Sequence, residues 1–245
     1  MPWDFAIILL FFAIAVPVLG RRRVQQLLRV PEITKRERLR LYASTVVFQW
    51  LAAGIVLWRA KARGLTNAGL AIAAPNPGLI AIVAVGLSAL LLGNQLISLR
   101  RLPNLPPEAR GIMPELARRL FPQDRSERVA YLGVVITVSI CEELIYRGFA
   151  QKVLEAWIGG YIVAGILASA ALFSIAHAYQ GRRGIIATFV VAILFSSARS
   201  WVGSLLAPCA AHFTADLAVG FIAPSRLTGP IAAVARTQEA DEKTR

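Results

Sequence analysis

Seven apolar stretches set the terms on which this 245-residue chain can fold. A helix needs about 20 apolar residues to cross the hydrocarbon core of a bilayer. The stretches cover residues 5–19, 41–58, 79–99, 129–149, 161–178, 184–198 and 201–222. Apolar residues make up 56% of the sequence, and mean hydropathy is +0.58. Both lie beyond the range of a soluble domain. Runs this long and unbroken predict helices, not the alternating strands of a barrel. The expected architecture is all-α: a multi-pass transmembrane helix bundle of about seven spans. The first and sixth stretches are short, and Pro17 predicts a kink or a partly interfacial position for the first.

The net charge of +13 orients that bundle. Arg21, Arg22, Arg23, Arg29, Lys35, Arg36, Arg38 and Arg40 lie between the first two stretches. Arg100, Arg101, Arg110, Arg118, Arg119, Arg125 and Arg128 lie between the third and fourth. The positive-inside rule places both loops in the cytoplasm of a cell-membrane protein, with the amino terminus outside and the carboxyl terminus cytoplasmic. Arg59, Lys61, Arg63 and Arg199 then fall outside, against the trend. The expected partner of these loops is the lipid bilayer, with its anionic heads. Nucleic acid is not expected, because the basic loops lack interleaved aromatics. No basic side chain precedes the first stretch and an arginine triplet follows it, the order of a retained anchor and not of a cleaved signal.

Four regions follow. Residues 1–101 form amino-terminal transmembrane helices around a basic cytoplasmic loop. Residues 102–128 form a cytoplasmic linker, in which 114–121 reads as a short amphipathic helix starting at Pro114, with Arg118 and Arg119 on its wet side. Residues 129–222 carry the polar constellation, and 223–245 form a polar cytoplasmic tail. Gln49, Asn94 and Gln95 stand out in the first half as interhelical hydrogen-bond glue. Cys141 and Cys209 both fall inside apolar stretches and read as small buried hydrophobes, not as a disulfide.

The chemistry gathers in the second half. Residues 129–141 carry no charge, and then Glu142 and Glu143 stand side by side, followed by Arg147. A charged side chain at the centre of a bilayer costs about 2.5–3.5 kcal/mol on insertion scales, so such residues have partners or a task. Glu143 and Arg147 are four apart and share a helix face. Glu142 is rotated by about 100° from Glu143 and is offered elsewhere, which suits a general base or acid. The only two histidines are His177 and His212. Phe173 precedes His177 by four residues, so its ring can pack one turn beneath the imidazole, and Asp216 follows His212 by four. With a turn near 157–160, Glu142 and His177 both lie roughly 22–26 Å from it at 1.5 Å per residue, and a helical hairpin puts them at one level. Buried Glu, His and Asp also make proton relays, so a proton-coupled transporter is an alternative. Against it, the first half holds no matching polar set.

In that order on membrane helices, Glu142-Glu143-x-x-x-Arg147, Phe173-x-x-x-His177 and His212-x-x-x-Asp216 resemble the CAAX-protease and bacteriocin-processing enzymes (the CPBP, or Abi, intramembrane proteases). Tyr146-Arg147-Gly148-Phe149 and the stretch from Ala176 to Gly181 are similar too. The resemblance covers about residues 125–220. It implies an intramembrane endopeptidase acting on a peptide or protein substrate, a hydrolase called metalloprotease by convention, with a non-catalytic bacteriocin-immunity membrane protein as an alternative. Glu142 would activate a water for attack on a peptide carbonyl and His177 would help to hold it. His212 and Asp216 would stabilise the oxyanion or orient groups that do. Glu143 and Arg147, with Phe173, would support the site. The best-described members carry Asn where this chain has Asp216. An ionised Asp216 would repel an oxyanion unless protonated, paired with His212 or acting on a metal. Glu142, His177 and His212 are the ligands if a metal such as zinc is bound; a route without metal is equally open. His-Glu-x-x-His, Gly-x-Ser-x-Gly and Gly-x-Gly-Asp motifs are absent.

Overall fold

The computed structural model describes residues 2–101, 104 and 112–221. The expected tail, 223–245, and most of 102–111 lie outside the described residues. All regular structure described is helical. Helix α1 runs Trp3–Arg29, α2 Lys35–Ala62 and α3 Pro77–Arg101. The short α4 is Met113–Leu120. Helix α5 runs Arg125–Trp157 and α6 Ile162–Ala176. Helix α7 is Gly181–Val202 and α8 is Leu206–Phe221. Helices α1, α2, α3, α5 and α7 are long and apolar enough to cross a membrane, while α6 and α8 are shorter apolar helices.

The seven apolar stretches thus each carry a helix, but the short ones differ from those expected. Helix α1 has 27 residues, because it continues through Arg21–Arg23, where the apolar count stops. Helix α7 likewise extends beyond residues 184–198, to 22 residues in all. Helix α6 is short because the chain turns at His177 and runs through a 3₁₀ turn, Ala178–Gln180, into α7. Pro17 lies in a continuous helix. A π turn, Phe11–Ala15, directly precedes its segment and relieves the crowding a proline ring brings to the turn before it.

Helix α5 sits at the centre. A second π segment, Glu143–Ala150, interrupts it immediately after Glu142. Such wider turns recur at functional sites. Phe149 of this segment meets Phe5 edge-on at 4.9 Å, and Tyr146 meets Phe12 at 5.7 Å. The loop between α2 and α3 also closes on it. Leu70 is buried, Arg199 donates to the Gly69 carbonyl at 2.8 Å, and the Leu205 amide donates to Ala71 at 2.8 Å. Gly148 makes the approach possible: a Cβ there would stand 3.0 Å from the Leu70 carbonyl oxygen and 3.3 Å from Leu205. Gly148→Val is therefore expected to lower stability by about 1–3 kcal/mol through overpacking against backbone, read as a fall in melting temperature.

Several arginines expected to serve orientation are structural ties. Arg38 and Glu127 form a buried pair at 3.0 Å between α2 and α5. Arg38 also donates to the Arg119 carbonyl and Tyr42 to the Leu120 carbonyl, each at 2.5 Å. Arg119 does not lie on the wet side of α4 as expected. It turns inward and donates to the carbonyls of Leu27 and Val30 at the end of α1, while Arg118 stays exposed. Those carbonyls lack partners within their own helix, so a cation is well placed there. At the other end Asp4 is buried, with Arg59 at 2.5 Å and Arg63 at 3.2 Å. Of the charges that fell against the orientation trend, Arg59, Arg63 and Arg199 are all held by such contacts. Lys35, with the Glu127 amide and the Ser126 hydroxyl, holds the Asp124 carboxyl well below the usual carboxylate range.

Candidate active site

The α5–α6 hairpin has the register the spacing predicts. Its turn occupies residues 158–160. Ser169 donates to the Tyr146 carbonyl at 2.7 Å, and the Tyr146 and Phe173 rings meet at 5.0 Å. Glu142, one turn before Tyr146, is thereby level with the end of α6 and His177.

Glu143 is the hub of the cluster. Its Oε1 accepts from Arg147 Nη1 at 3.2 Å and faces His212 Nδ1 at 2.8 Å. Side chains 143 and 147 are both fully buried. The Arg147 guanidinium lies 4.1 Å from the Phe173 ring centroid and 5.3 Å from that of Phe195. A weakly hydrated planar cation suits that apolar slot better than an ammonium would. The other ring nitrogen of His212, Nε2, stands 3.5 Å from Asp216 Oδ2. His212 is thus clasped between two carboxylates from α5 and α8.

Glu142 is held differently. Its Oε1 accepts from Gln49 Nε2 at 2.8 Å, across from α2. Its Oε2 is buried without a hydrogen-bond partner among the described residues. The side chain as a whole is half-buried, as are His177 and Asp216, while Glu143 and Arg147 are sealed. Gln49 is the residue sequence reasoning placed only as glue. A lone amide in an apolar run was the signal, but its partner, 93 residues away, was not readable.

His177 lies just past the end of α6 instead of within it, with φ −95° and ψ 14°. The Phe173 ring still packs against it, with centroids 4.4 Å apart. Phe173 also lies 6.4 Å from His212 and so separates the two imidazoles. His177 Nδ1 is 2.8 Å from the Phe173 carbonyl oxygen. A carbonyl only accepts, so a proton sits on Nδ1, and Nε2 is the ring nitrogen left to meet a water. Tyr179 stacks near His177 at 5.9 Å and is within electrostatic reach of both Glu142 and Asp216. Tyr179 therefore links the surroundings of Glu142, His177 and Asp216.

A metal was the open question of the sequence. Among the described residues no three His, Cys, Asp or Glu side chains are grouped to hold one ion. Both ring nitrogens of His212 face carboxylates and His177 Nδ1 is turned to a carbonyl. As arranged, Glu142, His177 and His212 do not fit a shared metal. Cys141 and Cys209 are free thiols.

Residues 124–218 match a family model described as type II CAAX prenyl endopeptidase Rce1-like. This segment is similar to the Rce1-like family. The match contains Glu142, Glu143, Arg147, Phe173, His177, His212 and Asp216, and agrees with the CAAX-protease resemblance of the motifs. Gln49, which holds Glu142, lies outside the Rce1-like segment. Comparison with curated proteins and with solved structures gave no match.

Proposed function

We propose that this chain is an intramembrane endopeptidase of the CAAX type that works by a glutamate-activated water. The reading rests on one contrast: Glu143 is sealed and paired with both Arg147 and His212, while Glu142 beside it is half-buried and held only through the neutral amide of Gln49. A water would donate one hydrogen to Glu142 and the other to His177 Nε2, which aims its oxygen at a peptide carbonyl carbon. Glu142 takes the proton as the C–O bond forms and then delivers it to the leaving amine as the C–N bond breaks. His212, protonated on both nitrogens between Glu143 and Asp216, would turn its Nε2–H toward the oxyanion. No step uses a metal.

His177→Phe tests the water-holding role. The ring still stacks on Phe173, but the lone pair is gone. The kcat/KM for a cleaved peptide is expected to fall about 10²–10⁴-fold with unchanged melting temperature. Cleavage at the wild-type rate would remove His177 from the mechanism.

The proposed orientation keeps the basic loops cytoplasmic and the amino terminus outside. Single cysteines introduced at Glu37 and Gln123 should then resist an impermeant thiol reagent in intact cells and react after lysis. Labelling of either from outside reverses the topology.

A further inference from the structure

Where α1 and α2 leave their apolar segments, the chain forms a cavity of about 260 Å³ lined by Arg23, Gln26, Leu27, Val30, Ile33, Glu37, Arg40 and Leu41. We infer that this cavity seats the headgroup of an anionic phospholipid. Its place in the bundle, its chemistry and its rigidity each point there.

The cavity lies at the level where the apolar run of α1 has ended and that of α2 begins, so it straddles the boundary between hydrocarbon and water. Leu27, Val30, Ile33 and Leu41 give it an apolar wall. Arg23 and Arg40 are exposed, and neither has a hydrogen bond or close ion pair among the described residues. The one carboxylate in the lining is Glu37. It feels the charge of Arg40, but its Oε2 is committed to the Thr34 amide at 2.8 Å and hydroxyl at 2.7 Å in the cap of α2. Two guanidinium groups over an apolar wall match an amphiphile with a phosphate head, because arginine forks pair with phosphate oxygens through parallel charge-assisted bonds. Basic pockets between membrane helices take such heads.

The wall is also prebuilt. Arg119 fastens the Leu27 and Val30 carbonyls, and α2 is pinned by the Arg38–Glu127 pair. The basic groups at the cavity mouth are therefore left over from this scaffold, not part of it. The volume is below the roughly 300–1,000 Å³ typical of pockets that enclose small molecules. It suits a phosphate and its glycerol, with the acyl chains left in the bilayer beside Leu27 and Leu41.

The test uses the full chain in neutral detergent at physiological salt, where no charged leaflet adds a general attraction. Native mass spectrometry titrates phosphatidylglycerol, phosphatidylcholine and inorganic phosphate. One phosphatidylglycerol is expected to be retained, with phosphatidylcholine and inorganic phosphate at least tenfold weaker. Arg23→Gln/Arg40→Gln should weaken phosphatidylglycerol about tenfold or more. Arg21→Gln/Arg22→Gln, an equal loss of charge outside the cavity, should change it less than about threefold. Neither pair should change lipid-free melting, since Arg23 and Arg40 make no hydrogen bond or close ion pair among the described residues. Equal losses in both pairs, equal retention of phosphatidylcholine, or binding of inorganic phosphate as strong as that of the lipid would each overturn the site.

Discussion

Glu143→Gln is expected to destabilise the protein by about 3–5 kcal/mol, the usual consequence of removing one partner from a buried ion pair. Glu143 faces Arg147 and His212 through the same oxygen. Gln keeps a carbonyl that can accept from both, but it removes the charge that neutralises them. The guanidinium then stays in a sealed slot between Phe173 and Phe195 with no carboxylate beside it. Arg147→Leu alone should cost less, because Glu143 retains His212. In the Glu143→Gln background, Arg147→Leu should recover part of the lost stability and no activity. Thermal unfolding of the four proteins in one detergent gives the comparison. A Glu143→Gln variant as stable as wild type would show that the pair is not a structural anchor.

Glu142→Gln is expected to behave in the opposite way. The substituted carbonyl still accepts from Gln49, and Glu142 carries no ion pair among the described residues, so yield and melting should stay near wild type. Cleavage should be lost, at a cost of at least the 10²–10⁴-fold typical of a general base. Gln49→Leu should lower kcat about tenfold to a hundredfold with little change in KM, because it loosens the aim of Glu142 while leaving its carboxylate present. If Glu142→Gln is the unstable variant and Glu143→Gln the stable inactive one, the two carboxylates have exchanged roles.

The contrast between the two acids was partly legible in the sequence. The four-residue spacing predicted the Glu143–Arg147 pair, which stands at 3.2 Å, and the hairpin count predicted the common depth of Glu142 and His177. The π segment from Glu143 onward was not legible, since an extra residue per turn leaves no mark in an apolar run. Partners from other helices were also hidden. Gln49, Glu127 and Asp4 find theirs 93, 89 and 55 residues away. Such pairs depend on helix packing, which hydropathy does not encode. Arg38 and Arg119 read as orienting charges for the same reason: a loop arginine and a buried one look alike until a carbonyl or carboxylate is brought against them. Helix ends misled too. Counting apolar residues stopped α1 at its arginines, although arginine is a good helix former and the backbone runs on.

The central claim is that Glu142 activates water to cut a peptide bond. Its most direct measurement is cleavage of prenylated and unprenylated carboxyl-terminal peptides by the purified chain, wild type against Glu142→Gln, in water enriched in oxygen-18. The account predicts that wild type cuts at least one peptide and places a single oxygen-18 in the new carboxylate, while Glu142→Gln, equally folded, yields no product. Cleavage by Glu142→Gln at the wild-type rate would contradict the account, as would a wild-type protein that cuts neither peptide.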